Sequence, residues 1–153
     1  MVSEPRVYFG QTLTLEHVID QYPFPLPAPL EGVMVLEQMQ KEDIVKAAGW
    51  RRALLDLPVG YGKTVICTAI SLMLQPVTTI VLVPPILIVQ WVKWINSIPG
   101  AGRAIAYVGS PAHRKTLRVR GTPWLIMSYQ VFLNDIDRLR RETAGLDVLT
   151  VVD

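Results

Sequence analysis

The chain has almost none of the side chains that build disulfides and zinc sites. Its 153 residues include one cysteine, Cys67, and two widely separated histidines, His17 and His113. A single cysteine cannot form an internal disulfide, which suits an intracellular protein. The same scarcity makes a zinc site improbable, because such sites are usually built from four Cys and His ligands. We therefore expect a cytoplasmic protein without zinc.

Long apolar runs and a strong excess of one charge are also lacking. A membrane-spanning helix needs about 18 or more apolar residues, whereas the best candidate, residues 78–92, is shorter and is interrupted by Pro84 and Pro85. The first residues, "MVSEPRVYFGQ", do not follow the pattern of a secretory signal peptide. The formal net charge is only +2. We expect no membrane contact, and any nucleic-acid binding would need a local basic patch.

Hydrophobic residues, in contrast, are plentiful, at 50% of the chain with a mean hydropathy of +0.32. This composition fits a sheet that is buried on both faces, and the length fits one domain. Residues 1–30 are predicted to be an irregular lead-in, because "YPFPLPAPL" holds four prolines in nine residues.

From residue 31 onwards, helical and strand patterns alternate. Helices are predicted over 35–49, 62–74, 86–98, 111–119 and 129–143, and strands over 53–57, 78–84, 103–109, 123–128 and 147–153. Such alternation predicts an α/β fold, a parallel β-sheet with helices on both faces. In such sheets, ligands bind at the carboxyl ends of the strands.

The stretch "LLDLPVGYGKTVI" has the composition of a phosphate-binding loop between a strand and a helix. The common pattern is Gly, four residues, then Gly-Lys-Ser/Thr, but Leu57 stands where the first glycine is expected. Gly60 and Gly62 permit a close backbone approach to phosphate, while Lys63 and Thr64 supply an ammonium group and a hydroxyl for Mg²⁺. The alternative is a glycine-containing turn that precedes Lys-Thr by chance. The candidate nucleotide-binding residues are Pro58, Val59, Gly60, Tyr61, Gly62, Lys63 and Thr64.

The form without the first glycine resembles the "PTGSGKT" loop of superfamily-two helicases and translocases, a RecA-like family. The resemblance implies ATP and Mg²⁺ as cofactors and a catalytic role for Lys63. The family also carries a glutamine that reads adenine some two dozen residues earlier. Gln40 precedes Lys63 by 63 − 40 = 23 positions, and its amide offers adenine a donor and an acceptor. Gln38 is the rival register, and an exposed helical glutamine is the structural alternative.

Three further segments are similar to the Swi/Snf-like branch of that superfamily: "VLVPPILIVQWVKWI", "AIAYVGSPAHRKTL" and "PWLIMSYQVFLNDI". Two positions depart from the branch pattern, since Val108 replaces a histidine and Gln130 replaces an acid. The resemblance implies nucleic-acid contacts at Pro84, Pro85, Gln90, Arg114, Lys115, Ser128 and Tyr129.

Two of these segments have structural alternatives. Trp91 and Trp94 have helical spacing with Ile95, which favours core packing over base stacking. The basic run "HRKTLRVR" has no acid nearby in the sequence. It fits phosphate contacts and a solvated helix face equally well.

The final segment, "LDVLTVVD", resembles the strand that ends in a magnesium-binding Asp-Glu pair. Asp153 stands at the position of the Asp, as a catalytic residue and Mg²⁺ ligand together with Thr64, and the Glu would follow it. The resemblance thus makes residues 31–153 a partial, N-terminal RecA-like ATP-binding lobe. The lobe would belong to a DNA-dependent ATPase that translocates on duplex DNA, with a second RecA-like lobe as partner, and would suit a small phage or bacterial protein.

Two other functions remain open. A P-loop kinase would use the same Lys63 and Thr64, but it has no use for the "PP…QW" and "SYQ" segments. A non-catalytic nucleic-acid-binding or regulatory module derived from a helicase lobe would keep the fold without turnover.

We predict that the 153-residue chain alone binds nucleotide but does not hydrolyse ATP. In the family that it resembles, hydrolysis needs the Glu after the Asp and arginine fingers from the second lobe. The measurement is phosphate release by homogeneous protein with and without duplex DNA. DNA-stimulated ATPase activity would contradict the prediction.

Overall fold

The structure is a computed structural model. It describes residues 36–49 and 53–153, together with the backbone of residues 6–8 and 11–13. The chain forms two compact units, Met1–Leu74 and Gln75–Asp153.

The first unit contains a short hairpin and two helices. Strands β1 (Arg6–Tyr8) and β2 (Gln11–Leu13) pair antiparallel, with Val7 opposite Thr12. The prediction of an irregular lead-in is therefore wrong for these residues. Valine, tyrosine and threonine favour strands, and the two strands contain all three residue types. The proline-rich run at 22–30 lies outside the described residues.

Helices α1 (Gln38–Ala48) and α2 (Lys63–Leu74) contact each other within the first unit. Both were predicted from apolar residues at helical spacing. Ile44 and Val45 are buried in α1, as are Ile66 and Ala69 in α2, so the amphipathic faces are the buried ones.

The predicted strand at 53–57 is absent. Residues 53–58 have no regular secondary structure, and the Leu54 side chain is 91% exposed. A strand exists only through hydrogen bonds to a neighbouring strand, and the described part of the first unit offers these residues none. The leucines made the segment apolar, but leucine does not favour strands as β-branched residues do.

The second unit is a four-stranded sheet with its connecting helices. The strands are β3 (Thr78–Leu82), β4 (Ala104–Ala106), β5 (Trp124–Met127) and β6 (Val148–Val152), in the order β4-β5-β3-β6 with all pairs parallel. A 3₁₀ turn, Pro85–Leu87, leads into α3 (Ile88–Ser97), and α4 (Pro111–Thr116) and α5 (Tyr129–Thr143) follow. The predicted α/β class with a parallel sheet is confirmed. Most of these elements lie within about two residues of their predicted bounds, as is usual for element ends, whereas β4 and α4 end earlier than predicted, at Ala106 and Thr116.

Every residue of β3 and β5 is buried, so both faces of the central sheet are covered. On one face, Ile80, Leu82, Leu125 and Met127 pack with Leu139 of α5. The residues that alternate with them, such as Val81 and Ile126, are also buried and face the opposite side. Strands buried on both faces explain the continuous apolar runs in the sequence.

Helix α3 is fixed against β4 by paired hydrogen bonds. The Asn96 side chain accepts from the Ala104 N–H at 2.8 Å and donates to the Ala104 carbonyl at 3.1 Å. Trp91 and Ile95, on the same helix, are buried. In the described part of the chain, no helix has the length and apolar character that crossing a membrane requires.

We predict that Thr78→Val stabilises the protein. Thr78 is fully buried, and its hydroxyl has no hydrogen-bond partner among the described residues. Replacing an unpaired buried hydroxyl by a methyl group of the same shape should raise the free energy of unfolding by about 1 kcal/mol. Urea denaturation measures the change. Thr79→Val is the control, because Thr79 is equally buried but has an interaction partner, and it should give no gain.

Candidate functional site

The loop before α2 is a turn with two glycines in the left-handed conformation. The Tyr61 N–H donates to the Pro58 carbonyl at 3.2 Å, and Gly60 and Gly62 have φ angles of +83° and +86°. Glycine adopts this left-handed conformation without strain. A Cβ atom at Gly60 would meet nothing within 4 Å, so space on that side of the loop is open.

Lys63 and Thr64 are the first residues of α2, as predicted. The Ile66 N–H donates to the Gly62 carbonyl at 3.0 Å, which marks the first turn of the helix. The preceding N–H groups have no acceptor within a helix, and the helix dipole places partial positive charge there. Lys63 and Thr64 therefore lie at a helix end that carries partial positive charge.

Gln40 connects α1 to this loop. Its amide Nε2 donates to the Tyr61 carbonyl at 2.8 Å, and its Oε1 accepts from the Glu37 N–H at 2.9 Å. Gln38, the rival register, is exposed and donates to Glu42 at 3.3 Å. Of the two glutamines, Gln40 is therefore the one that contacts the loop before α2.

Tyr61 also faces α1. Burial raises the pKa of its hydroxyl above the ordinary value, and the negative charge of Asp43 raises it further. The hydroxyl is therefore neutral at physiological pH. This environment gives the side chain between the two glycines a structural role on the α1 side of the loop.

In the second unit, three adjacent strands end at one level. Leu82 lies opposite Met127 of β5 and Val152 of β6. The next N–H groups continue both ladders: Val83 donates to Met127 at 3.0 Å, and Asp153 donates to Leu82 at 2.9 Å. The predicted site residues Pro84, Ser128 and Asp153 therefore lie together at the carboxyl edge of the sheet.

Asp153 is held there by two aromatic side chains. The indole Nε1–H of Trp91 donates to the Asp153 Oδ2 at 3.3 Å, and the Tyr129 hydroxyl donates to the Asp153 carbonyl oxygen. Trp91 is 2% exposed, so the predicted packing role is confirmed. Its hydrogen bond to Asp153 was not anticipated, because no local sequence pattern links residues 62 positions apart.

The residues predicted to contact nucleic acid differ in accessibility. Pro84, Pro85 and Gln90 are exposed, whereas Ser128 is buried. The Ser128 hydroxyl accepts from the Val131 N–H at 3.3 Å and caps α5, which is the usual role of serine at a helix start.

Arg114 is not available to bind a phosphate. It is buried and forms a two-pronged ion pair with Asp135, with Nε–Oδ2 and Nη2–Oδ1 distances of 2.8 and 2.9 Å. Its Nη1 donates to the Gly109 carbonyl at 2.6 Å. Neither a phosphate contact nor a solvated helix face describes Arg114, because an acid 21 residues later in the sequence, Asp135 of α5, pairs with it.

The ion pair belongs to a larger polar network. The Tyr107 hydroxyl donates to Asp135 at 2.9 Å, and Arg138 donates to the Tyr107 hydroxyl at 3.0 Å and to the Leu117 carbonyl at 2.9 Å. The hydrogen bond from Arg114 holds the pKa of Asp135 below its usual range, and burial raises that of Tyr107. The network was not predicted from the sequence. The available signal was Asp135 itself, an acid that lies four residues after Val131 on the apolar stripe of α5.

Lys115 and the two following arginines are exposed. Arg118 donates through Nε to the Arg120 carbonyl at 2.9 Å, which folds it onto a local turn. Lys115 is thus the member of the predicted pair Arg114 and Lys115 whose side chain reaches solvent.

Metal-ligating side chains are sparse in the described part of the chain. Among residues 36–49 and 53–153, no group of three or more His, Cys, Asp or Glu side chains could hold a metal ion. Magnesium in phosphate-transfer proteins is bound by one or two protein ligands together with phosphates.

No protein-family model matches the chain, and no curated protein shows significant similarity to it.

We predict that Asp135→Asn destabilises the protein by about 3 kcal/mol, because it leaves the Arg114 charge buried without a counter-charge. The lowered pKa of Asp135 also predicts a pH dependence. The stability that ionised Asp135 contributes is present above the pKa of the carboxyl group in the unfolded chain, which is about 4. It is lost as the pH falls through the lower pKa of the folded state.

Urea denaturation of both proteins between neutral and acidic pH measures this difference. Asp137→Asn is the control, since Asp137 is exposed on the same helix, and it should change stability by less than about 0.5 kcal/mol. A difference between wild type and Asp135→Asn that does not shrink in acid would contradict the assignment.

Proposed function

We propose that the chain is an ATP-binding lobe of a DNA-dependent ATPase, a duplex-DNA translocase similar to the Swi/Snf-like branch of superfamily-two helicases. In this proposal, residues 58–64 hold the phosphates of ATP, and the fold is a partial RecA-like lobe. The observation that carries the proposal is the loop itself. Its two left-handed glycines stand directly before a helix that opens with Lys63 and Thr64.

The surroundings of the loop support nucleotide as the ligand. The N–H groups at the start of α2 and the Lys63 ammonium group offer positive charge to a polyphosphate. Gln40 already contacts the loop through the Tyr61 carbonyl. A nucleotide seated on the loop would therefore have an amide nearby whose donor and acceptor match the adenine edge.

Magnesium would enter with the nucleotide. In the proposal, the Thr64 hydroxyl is the ligand that the first unit supplies beside the phosphates. Asp153, in the second unit, is a separate candidate magnesium ligand. When bound, the ion would neutralise phosphate charge. The position of Asp153 at the end of a strand in a parallel sheet fits this role, because ligands of such sheets bind at the carboxyl ends of the strands.

Nucleic acid is proposed to contact the same edge of the second unit. Pro84, Pro85 and Gln90 are exposed beside the end of β3, and Lys115 is exposed on α4. Arg114 is excluded from this set because it is paired with Asp135. The second candidate, a non-catalytic nucleic-acid-binding module, would use these residues without the phosphate loop.

Lys63→Ala and Lys115→Ala form a crossed test. Lys63→Ala should weaken ATP binding by at least about tenfold, since a hydrogen bond to a charged group is worth roughly 1.5–3 kcal/mol, and should leave DNA affinity unchanged. Lys115→Ala should leave ATP binding unchanged and should weaken the binding of duplex DNA. It should also reduce the slope of log affinity against log salt by about 0.9 for one lost phosphate contact.

Calorimetry with ATP and Mg²⁺ and fluorescence anisotropy with labelled duplex DNA provide the two measurements. If wild-type chain binds DNA but no ATP, even with Mg²⁺ and DNA present, the non-catalytic module is the better description. If it binds neither, both functions are excluded.

A further inference from the structure

We propose that the second unit binds the phosphate backbone of duplex DNA at the turn between α4 and β5. The binding surface consists of Lys115, Arg118, Arg120 and Arg141, and we call it the α4–β5 surface. The inference rests on the nucleic-acid part of the proposed function, which it deepens by assigning three further arginines to the DNA. It does not depend on the phosphate loop or on ATP.

The charge of the chain is divided unevenly between its two units. The second unit contains nine Lys and Arg against five Asp and Glu, which gives 9 − 5 = +4. The first unit contains six against eight, which gives 6 − 8 = −2. The net charge of the whole chain therefore conceals a basic second unit.

The excess of positive charge is concentrated before β5. Residues 111–123 contain four Lys and Arg and no Asp or Glu. Arg114 is buried and paired, whereas Lys115, Arg118 and Arg120 are exposed. None of these three forms an ion pair with another described residue. Their charges are therefore available to a ligand.

A tight turn holds Arg120 at the surface. The Thr122 N–H donates to the Val119 carbonyl at 3.1 Å, and Gly121 has a φ angle of +80°. A positive φ at the third residue is what a type II turn requires. Val119, the first residue of the turn, is fully buried, so the turn is anchored in the core while Arg120, its second residue, is exposed.

Arg118 is held against the same turn. Its Nε donates to the Arg120 carbonyl at 2.9 Å, and its Nη2 lies 3.3 Å from the point that a Cβ atom at Gly121 would occupy. The two Nη groups donate to no other described residue. A guanidinium group presents its donors in a fork that matches phosphate geometry. Because this one is already positioned, binding would cost less side-chain entropy.

Helix α5 adds a fourth basic side chain. Arg138 donates to the Leu117 carbonyl at 2.9 Å, which connects α5 to the chain just before the turn. Arg141 follows Arg138 by three residues, so it lies on the same side of the helix, and it is exposed. Asp137, four residues before Arg141, forms no ion pair with it. Arg140 follows Arg138 by two residues and therefore lies on the other side of α5.

The α4–β5 surface lacks the apolar side chains that a protein or membrane partner would need. Among the described residues of the second unit, the exposed large hydrophobic side chains belong to other segments: Val77, Ile86, Val89, Val108, Tyr129, Leu133 and Val152. Protein interfaces have an apolar core, and helices that bind membrane surfaces bury an apolar face. Contacts with a phosphate backbone are electrostatic and need neither. The surface therefore fits nucleic acid best.

Two double variants of the full chain test the surface. Arg118→Gln with Arg120→Gln removes two charges from it. Lys93→Gln with Arg140→Gln is the matched control, because it removes two exposed charges from α3 and from the other side of α5. Fluorescence anisotropy with labelled duplex DNA over a range of salt concentrations measures both affinity and its salt dependence.

The variant of the surface should reduce the slope of log affinity against log salt by about 1.8, which is about 0.9 for each of two lost phosphate contacts. The same relation predicts roughly 60-fold weaker binding at about 0.1 M salt. The control should keep the wild-type slope. Equal losses in both variants would indicate an effect of net charge alone and would overturn the inference, as would no loss in either.

Wild-type protein gives a second test that does not depend on the folding of a variant. Phenylglyoxal modifies accessible arginine side chains, and mass spectrometry of peptides locates the modified residues. Duplex DNA should protect Arg118 and Arg120 and leave Arg140 reactive. Equal modification of all three with and without DNA would overturn the inference.

Poly-glutamate serves as a probe for an acidic protein partner. If Arg118→Gln with Arg120→Gln loses poly-glutamate binding but keeps DNA binding, the surface serves an acidic protein and the inference is wrong. If wild-type chain binds DNA but no ATP, the ATP-binding part of the proposed function fails, and the double variants still decide the inference. If wild-type chain binds no DNA, the inference and the nucleic-acid part of the proposed function fail together.

Discussion

The second unit depends on the hydrogen bonding of β3 to a parallel neighbour on each side. This single strand sets the register of β5 and β6, so the residues that follow the three strands come to one edge. Val83 and Asp153 extend the ladders by one further bond each. A parallel sheet can bring distant segments together in this way because the chain crosses back through a helix after each strand and enters the next strand in the same direction. The position of Asp153 is a consequence of that register.

The sheet also explains why the polar network lies where it does. Apolar side chains fill the face of the sheet that α5 covers, and Arg114 approaches from the short helix α4. Its charge is buried, so it requires a counter-charge and further hydrogen bonds. Asp135 supplies the counter-charge, and the Gly109 carbonyl supplies one of the bonds. Breaking the pair is costly for this reason, even though a buried ion pair adds little net stability over an apolar pair.

Much of the fold could be predicted because the sequence is locally consistent. The β-branched run at 78–82 and the helical spacing over 129–143 each favour the element that they form. The segment at 53–57 failed because apolar character alone does not supply a pairing partner. The strands at 6–8 and 11–13 were not predicted, because the proline-rich run at 22–30 indicated irregular structure for the whole segment.

In the candidate site, too, features formed by neighbouring residues could be predicted, whereas contacts between distant residues could not. The glycine turn and the start of α2 at Lys63 could be predicted, since the residues that form them lie close together in the chain. The partners of Arg114 and Asp153 could not, because each lies on another element. The basic run around Arg114 looked unpaired along the sequence, and only the packing of α5 against the sheet brings Asp135 to it. Pairing across 21 or 62 residues is a property of the tertiary fold.

The last strand of the sheet has a consequence for handling the protein. In the described sheet, β6 has a hydrogen-bonded neighbour on one side only. Its sequence, Val-Leu-Thr-Val-Val, contains no proline and no charged residue, and Val152 is 67% exposed. Natural sheets usually protect such edges with charges, prolines or bulges. Within the described sheet, β6 is therefore the edge strand that lacks such protection, and a lysine in place of the exposed Val152 would supply it without replacing a buried residue.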